Sequence, residues 1–208
     1  MKMEVIKPCF IIEDEINGEQ ILRNLERYAR TCYKSEDKIT PDSARKFMAA
    51  VIKSGHESVI EHEKVTVRVI CDRGVTHEIV RHRIASYSQE STRYCNYKST
   101  GIQVIEPFFF FNVNNDKKSQ IWMKAMHACE EAYNALIEAG ATPQEARSVL
   151  PNSLKTEIII TCNLREWRHF FKVRCSKRAH PQIREIAISL LREFRKRIPV
   201  IFDDISEE

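Results

Sequence analysis

The sequence predicts an α+β fold: a mixed or antiparallel sheet of about four strands with about six helices, in one domain over residues 1–208. Three observations carry this. Val65, Val67, Val69 and Cys71 alternate with Thr66, Arg68 and Ile70, the period of a strand with one strongly apolar face. Apolar residues recur every three or four positions over Glu19–Cys32, Ser119–Ala139 and Pro181–Ile198, the helical period. Strand-like and helix-like segments follow in mixed rather than alternating order, which argues against a doubly wound parallel sheet.

The β-branched and apolar residues up to Ile12 predict a first strand. Ile21, Leu25, Tyr28 and Cys32 then mark a helix. Thr40-Pro41 opens a second, which carries Ala44, Phe47, Met48, Val51 and Ile52 and ends at Gly55. The strand Glu63–Cys71 breaks at Asp72-Arg73-Gly74. Val75, Ile79 and Val80 predict a short helix to about Arg83, and the polar stretch Ser86–Asn96 predicts a loop. A strand is expected around Val104, followed by Phe108, Phe109, Phe110 and Phe111, read as core or interface packing. The helix Ser119–Ala139 stops at Gly140. Thr142-Pro143-Gln144-Glu145 is a capping box with proline at the first helical position, opening a short helix ended at Pro151. Thr156–Cys162 suits another strand. Asn163–Glu166 repeats the cap spacing before Trp167, Phe170 and Phe171, and Pro181 opens the last helix, with Pro199 just past it.

Composition removes several function classes. All five glycines stand alone, so no glycine-rich dinucleotide loop and no P-loop can be written, and any phosphate falls to arginines and helix N-termini. The 33 Lys and Arg against 29 Asp and Glu give +4, too mild by itself for a nucleic-acid binder. Charge is concentrated, however: Arg165 to Arg197 holds eleven basic and three acidic residues, and the tail Asp203, Asp204, Glu207 and Glu208 is acidic. Such concentration suits an anionic ligand. Seven cysteines without a CxxC pair read as reduced thiols of a cytoplasmic protein. The N-terminus shows no signal-peptide pattern and no stretch reaches the roughly 18 apolar residues of a membrane span, so no membrane partner is expected.

Two histidine groups suggest a metal; the first fails on spacing, and for the second a metal is the less expected reading. His77-Glu78 and His82 resemble a zinc-protease helix, but histidines five apart stand about 140° from each other on a helix and share no face. His56 and His62 flank an apolar strip in GHESVIEH, where buried or capping histidines are commoner than ligands. No metal is expected. The informative stretch is Arg81 to Tyr94, which crowds three arginines, Ser86, Ser88, Ser91 and Thr92, two tyrosines and Gln89 together. Guanidinium forks and hydroxyls are what phosphate and pyrimidine edges require. A solvated polar loop has a similar composition, but Ile84, Ala85, Tyr87 and Tyr94 imply partial burial, and buried arginines need anions.

Arg81-His82-Arg83, seven residues, then Ser91 matches R-H-R-x7-S, and here the chain resembles the flavin-dependent thymidylate synthases. GHESVIEH, the segment Ala146 to Ser153, Asn163-Leu164-Arg165-Glu166-Trp167 and Arg174 resemble further blocks of that family, in order, over most of the chain. The resemblance implies reductive methylation of dUMP to dTMP, with 5,10-methylenetetrahydrofolate as carbon donor and NADPH-reduced FAD as hydride donor. It implies no cysteine nucleophile, no nucleic-acid partner, and a homotetramer with active sites shared between subunits. Flavin contacts are implied for Ser58, Arg81, His82, Arg83, Gln89, Asn163, Leu164, Arg165 and His169, the last an asparagine in some members. Nucleotide contacts are implied for Glu78, Ile79, Val80, Arg81, Gln89, Glu90, Ser91, Thr92, Arg93, Arg147 and Arg174. Among these, Arg93 and Arg147 are the expected phosphate partners, and Glu78, glutamine in some members, has to face the ribose or an arginine. Arg174 is the expected catalytic residue, since a fixed guanidinium stabilises negative charge developing on the pyrimidine edge. The helix starting near Asn163 offers N–H groups to the flavin diphosphate. Arg81 and Arg83, about 200° apart if helical, cannot easily serve one small ligand in one subunit, which agrees with shared sites.

Two other readings stay open on the residues. Trp167, Phe170 and Phe171 within the basic segment could stack nucleic-acid bases, although their helical spacing is that of core residues. Cys175, beside Arg174 and Lys177, could be the activated nucleophile of a cysteine-dependent thymidylate synthase.

Overall fold

The computed structural model describes residues 3–111 and 117–207. In chain order the elements are β1 (Glu4–Ile6), β2 (Cys9–Ile12), α1 (Gly18–Thr31), α2 (Ser43–Lys53), β3 (Lys64–Asp72), α3 (Arg73–Ile79), β4 (Ser86–Gln89), α4 (Tyr97–Thr100), β5 (Gln103–Ile105), α5 (Phe108–Phe111), α6 (Lys117–Glu138), α7 (Pro143–Ala146), β6 (Lys155–Asn163), α8 (Leu164–Arg174) and α9 (Pro181–Arg197). Three 3₁₀ turns, among them Glu57–His62, complete the set. One sheet is the parallel pair β1–β5, with Val5 opposite Val104, and the other runs β2-β3-β6-β4.

The mixed α and β character matches expectation, with more elements of both kinds. The expected first strand is two, because Pro8 lies between β1 and β2 and has no N–H for a ladder. The expected loop from Ser86 begins instead as β4, in which half-buried Tyr87 and Gln89 alternate with exposed Ser86 and Ser88. The helix expected to reach Arg83 stops at Ile79. A continuing helix would bond the Ile79 carbonyl to the Arg83 N–H; the Tyr87 hydroxyl donates to that carbonyl instead, at 2.9 Å. Ile70, expected on the polar face of β3, is buried, as are its neighbours Val69 and Cys71.

The described residues form two compact units, one from residues up to Phe10, Arg68–Arg81 and Tyr87–Ile159, the other from Ile11–Val67, His82–Ser86 and Ile160 onward. In the first unit Met3, Tyr97, Ile102, Val104, Trp122, Met126, Tyr133, Ala146 and Leu154 form one buried cluster. Phe110 and Phe111 pack against it and Phe111 meets Trp122 edge-on at 5.6 Å, whereas Phe109 is 39% exposed, so core packing describes only part of the four-phenylalanine run. Gly140, with φ +92°, takes the left-handed conformation that closes α6. The capping box is formed as expected, the Thr142 N–H and hydroxyl both donating to Glu145 Oε2, at 2.8 and 2.7 Å.

In the second unit α1 packs on α2 and α8 on α9. Trp167, Phe171, Phe194 and Phe202 are all buried, with the Trp167–Phe194 rings 5.1 Å apart and the Phe171–Phe202 rings 5.7 Å apart. Burial at about 2–3 kcal/mol per large side chain makes this the unit's main apolar anchor, and it withdraws Trp167 and Phe171 from any base-stacking role. Gly18 starts α1 against the end of α9, where an added Cβ would lie 2.0 Å from the Arg197 carbonyl oxygen. Within α8, Arg168 is buried and reaches Glu57, Asp204 and the Ile201 carbonyl. No helix among the described residues is long and apolar enough to cross a membrane.

Candidate active site

The second unit assembles a site where β6 passes into α8. Asn163 caps the helix, its Oδ1 accepting from the Glu166 N–H at 2.9 Å. A full capping box would return the Glu166 carboxylate to the Asn163 N–H. It turns instead to His82, with Oε1 3.2 Å from Nδ1. The other ring nitrogen, Nε2, accepts from Arg174 Nε at 3.0 Å, at the last residue of α8. Phe170 and His169 flank the imidazole at 4.9 and 5.3 Å between ring centres.

His82 is only 4% exposed, and burial, then the Arg174 guanidinium and His169, push its pKa down to about 4. At neutral pH the ring therefore carries one N–H and one lone pair. Because guanidinium can only donate, the N–H is assigned to Nδ1, toward Glu166. Burial holds Glu166 above the ordinary carboxylate range, with His169 opposing it. An ion pair would raise the histidine and lower the acid; both shifts run the other way, so this contact is a hydrogen bond from a neutral imidazole to Glu166 Oε1 rather than an ion pair.

A cavity of about 570 Å³ opens here, lined by Asn163, Arg165, Glu166 and His169 together with Glu57, Glu61, Lys172 and Ile84. Arg165 pairs with Glu61, and Lys172 with Glu57 at 3.1 Å. The helix start is less available to a diphosphate than expected, because the Leu164 N–H is bonded to the Glu63 carbonyl at 2.9 Å and the Glu166 N–H to Asn163. Ser58 lines another cavity, of about 370 Å³, with Tyr33, Phe47 and Val59. Arg83 is exposed, in coil just after His82. His82, Glu166 and His169 also place ligand-capable atoms within 4.8 Å of one another, a cluster that the residue spacing did not suggest. Both ring nitrogens of His82 are already engaged, so a metal there would have to displace Glu166 or Arg174.

The first unit gathers most of the residues expected around the nucleotide. Gln89 Nε2 donates to Thr76 Oγ1 at 3.1 Å, tying β4 to α3, whose end carries Glu78, Ile79 and Val80. Ile79 is buried; Val80 and Arg81 are exposed. Arg147 Nη1 lies 3.5 Å from Thr92 Oγ1, so Arg147 joins the Ser91–Arg93 turn across the sequence. In that turn Ser91 Oγ accepts from the Arg93 N–H at 3.3 Å, and the Arg93 guanidinium lies 5.4 Å from the Tyr94 ring centre. Glu90 is held by the Tyr97 hydroxyl at 2.9 Å and Lys155 Nζ at 3.1 Å.

The family model described as thymidylate synthase complementing protein matches residues 17–200. A flavin-dependent thymidylate synthase from Geobacter sulfurreducens is 39% identical, over 85% of this chain and 78% of its own. The chain belongs to the flavin-dependent thymidylate synthase family. It is thereby an enzyme. A second relative of that name, from Pyrococcus furiosus, is 37% identical over 79% of this chain and 68% of its own. Among solved structures, a UMP/dUMP methylase, PolB from Streptomyces cacaoi, bound with 5-Br dUMP, aligns at a TM-score of 0.80 and 21% identity, covering 98% of this chain and 96% of that one, which establishes a shared fold.

Against the family pattern, His82, Asn163, Leu164, Arg165, His169 and Arg174 fall in the second unit, with Ser58 and Arg83. Glu78–Arg81, Gln89–Arg93 and Arg147 fall in the first. Arg81 and Arg83 lie beyond the end of α3, so the angle argued for them on a helix has no basis. Cys175 is fully buried and its thiol is pushed up to about 11 by burial and then Glu207, with Arg195 and Arg184 opposing. The lowering that Arg174 and Lys177 could have given does not arise, the Arg174 side chain turning to His82 instead, which favours the spectator role for Cys175. Sequence reasoning missed Glu166, read there only as a helix-start residue, and Lys155 and Tyr97, whose partner Glu90 is far away or in another element. The one available signal was Asn163-x-x-Glu166, which is also what an ordinary cap looks like.

Proposed function

We propose that this enzyme methylates dUMP reductively to dTMP, taking the carbon from methylenetetrahydrofolate and the hydride from FAD reduced by NADPH, without a cysteine nucleophile. The carrying observation is a guanidinium, that of Arg174, held at Nε by a buried neutral histidine of the R-H-R motif. A donor fixed in this way pays little reorganisation cost when charge develops on the pyrimidine edge, and is worth on the order of 3 kcal/mol of barrier. Three of the seven cysteines support this reading: Cys71, Cys162 and Cys175 are buried, with thiol pKa values raised mainly by burial.

Around the α8 cavity the Asn163 amide and the His169 imidazole suit a flavin ring edge, while Arg165 and Lys172, paired with Glu61 and Glu57, would have to leave those carboxylates to meet the diphosphate. Asn163, Arg165 and His169 would hold FAD there, together with His82 and Arg83, and with Ser58, Arg81, Leu164 and Gln89 by family resemblance. Bound and reduced, FAD supplies the hydride. Arg93 and Arg147, with Ser91 and Thr92, bind the nucleotide phosphate, where guanidinium forks and hydroxyls match its oxygens. Gln89, Glu90 and the Glu78–Arg81 segment position the rest of the nucleotide. The working assembly is a homotetramer with shared sites. In the deciding experiment the flavin is reduced anaerobically by NADPH in the presence of dUMP, methylenetetrahydrofolate is added, and the product is analysed. Formation of dTMP is expected; flavin oxidation without dTMP would overturn the assignment.

A further inference from the structure

We propose that Glu166 is a positioning residue that, through His82, sets the direction in which Arg174 presents its guanidinium. The inference rests on the role given to Arg174 above. The three side chains form a continuous line in the second unit, with 3.2 Å from Glu166 Oε1 to His82 Nδ1 and 3.0 Å from His82 Nε2 to Arg174 Nε. A neutral imidazole exists as two tautomers. Only the one protonated on Nδ1 offers Nε2 as a lone pair; the other would set an N–H against the Arg174 Nε–H, and the guanidinium would swing away. A carboxylate beside Nδ1 selects the first tautomer, as outer partners of functional histidines do elsewhere.

The surroundings make the selection firm. Glu166 sits in the first turn of α8, its backbone N–H tied to Asn163, so its side chain starts from a fixed point. Both Glu166 and His82 are buried, where an unpaired polar group is costly and water does not readily substitute for a lost partner. Phe170 and His169 pack against the imidazole and limit its rotation. The cap geometry offered Glu166 a contact with the Asn163 N–H. That the carboxylate takes His82 instead is the feature a purely structural helix start does not explain.

The tautomer is read directly by nitrogen NMR of the flavin-loaded protein labelled with [15N]histidine, the His82 signals being assigned by their loss in His82→Gln. A protonated Nδ1 with a bare Nε2 is expected in the native protein, and a proton on Nε2 would overturn the proposal with no variant needed. Glu166→Gln keeps the shape but loses the charge, so its spectrum is expected to show a shift of the proton toward Nε2. Its kcat is expected to fall on the order of 10- to 100-fold with flavin content unchanged. In a double variant with Arg174→Ala the Glu166→Gln loss is expected to vanish, because the group it acts through is gone. Losses that multiply, with Arg174→Ala itself impaired, would overturn the positioning role alone; normal turnover by Arg174→Ala would bring down the assignment of Arg174 first and this inference with it.

Discussion

Replacing Arg168 by methionine tests whether one buried guanidinium ties the C-terminal segment to α8. Its side chain is 1% exposed; Nη1 and Nη2 donate to Asp204 Oδ1 and Oδ2 at 2.6 and 2.8 Å, Nε donates to Glu57 Oε1 at 3.0 Å, and Nη1 also meets the Ile201 carbonyl. Removing one partner of a fully buried ion pair costs about 3–5 kcal/mol because the other charge is stranded. Here the carboxylates are not stranded: Asp204 is 52% exposed and Glu57 keeps Lys172 at 3.1 Å. Methionine also refills the stem volume, so the low end applies, about 3 kcal/mol including the orphaned carbonyl. For a chain of this size that is roughly 6–12 °C in Tm by scanning calorimetry. The hydrogen bond from Arg168 holds Asp204 below the ordinary carboxylate range, and Glu57 is held low by Lys172 and Arg168 against burial. Depressed acids contribute stability above the ordinary carboxylate range that is lost as pH falls through it. The variant lacks most of that contribution, so the Tm gap should narrow between pH 7 and about pH 3. A gap under about 2 °C at pH 7, or one widening in acid, would refute the reasoning.

Arg174→Ala should retain bound flavin and lose about 10²–10³ in kcat for dTMP formation. Cys175→Ala should keep turnover within about threefold, since a buried thiol with a raised pKa is a packing group; complete loss with a normal Tm would restore it as a nucleophile. His82, lowered from 6.5 to about 4, binds fewer protons folded than unfolded between those values, so native stability should fall as pH drops through that window. His82→Gln should lack that slope in a Tm-against-pH series. Asn163→Ala should cost about 1 kcal/mol by denaturant unfolding, as loss of a helix cap does.

The longer helices and α7 were legible in the sequence because their signals lie within a few residues of one another: the apolar period of α1, α6 and α9, the Thr142–Glu145 box, the proline opening α9; the four-residue helices α4 and α5 were not. The family signature, Arg81-His82-Arg83 to Ser91, is equally local. What the sequence did not determine depends on partners distant along the chain. The end of α3 turns on the Tyr87 hydroxyl reaching Ile79, the existence of β4 on its pairing with β6, and the inertness of Cys175 on its burial in the folded second unit. The line from Glu166 to His82 to Arg174 spans residues 84 and 92 positions apart. Local spacing specifies which backbone hydrogen bonds form, since those partners are three or four residues away. Which nitrogen keeps its proton and which thiol loses its water are set by desolvation and by groups that only the folded chain brings near, so these tertiary structure alone decided.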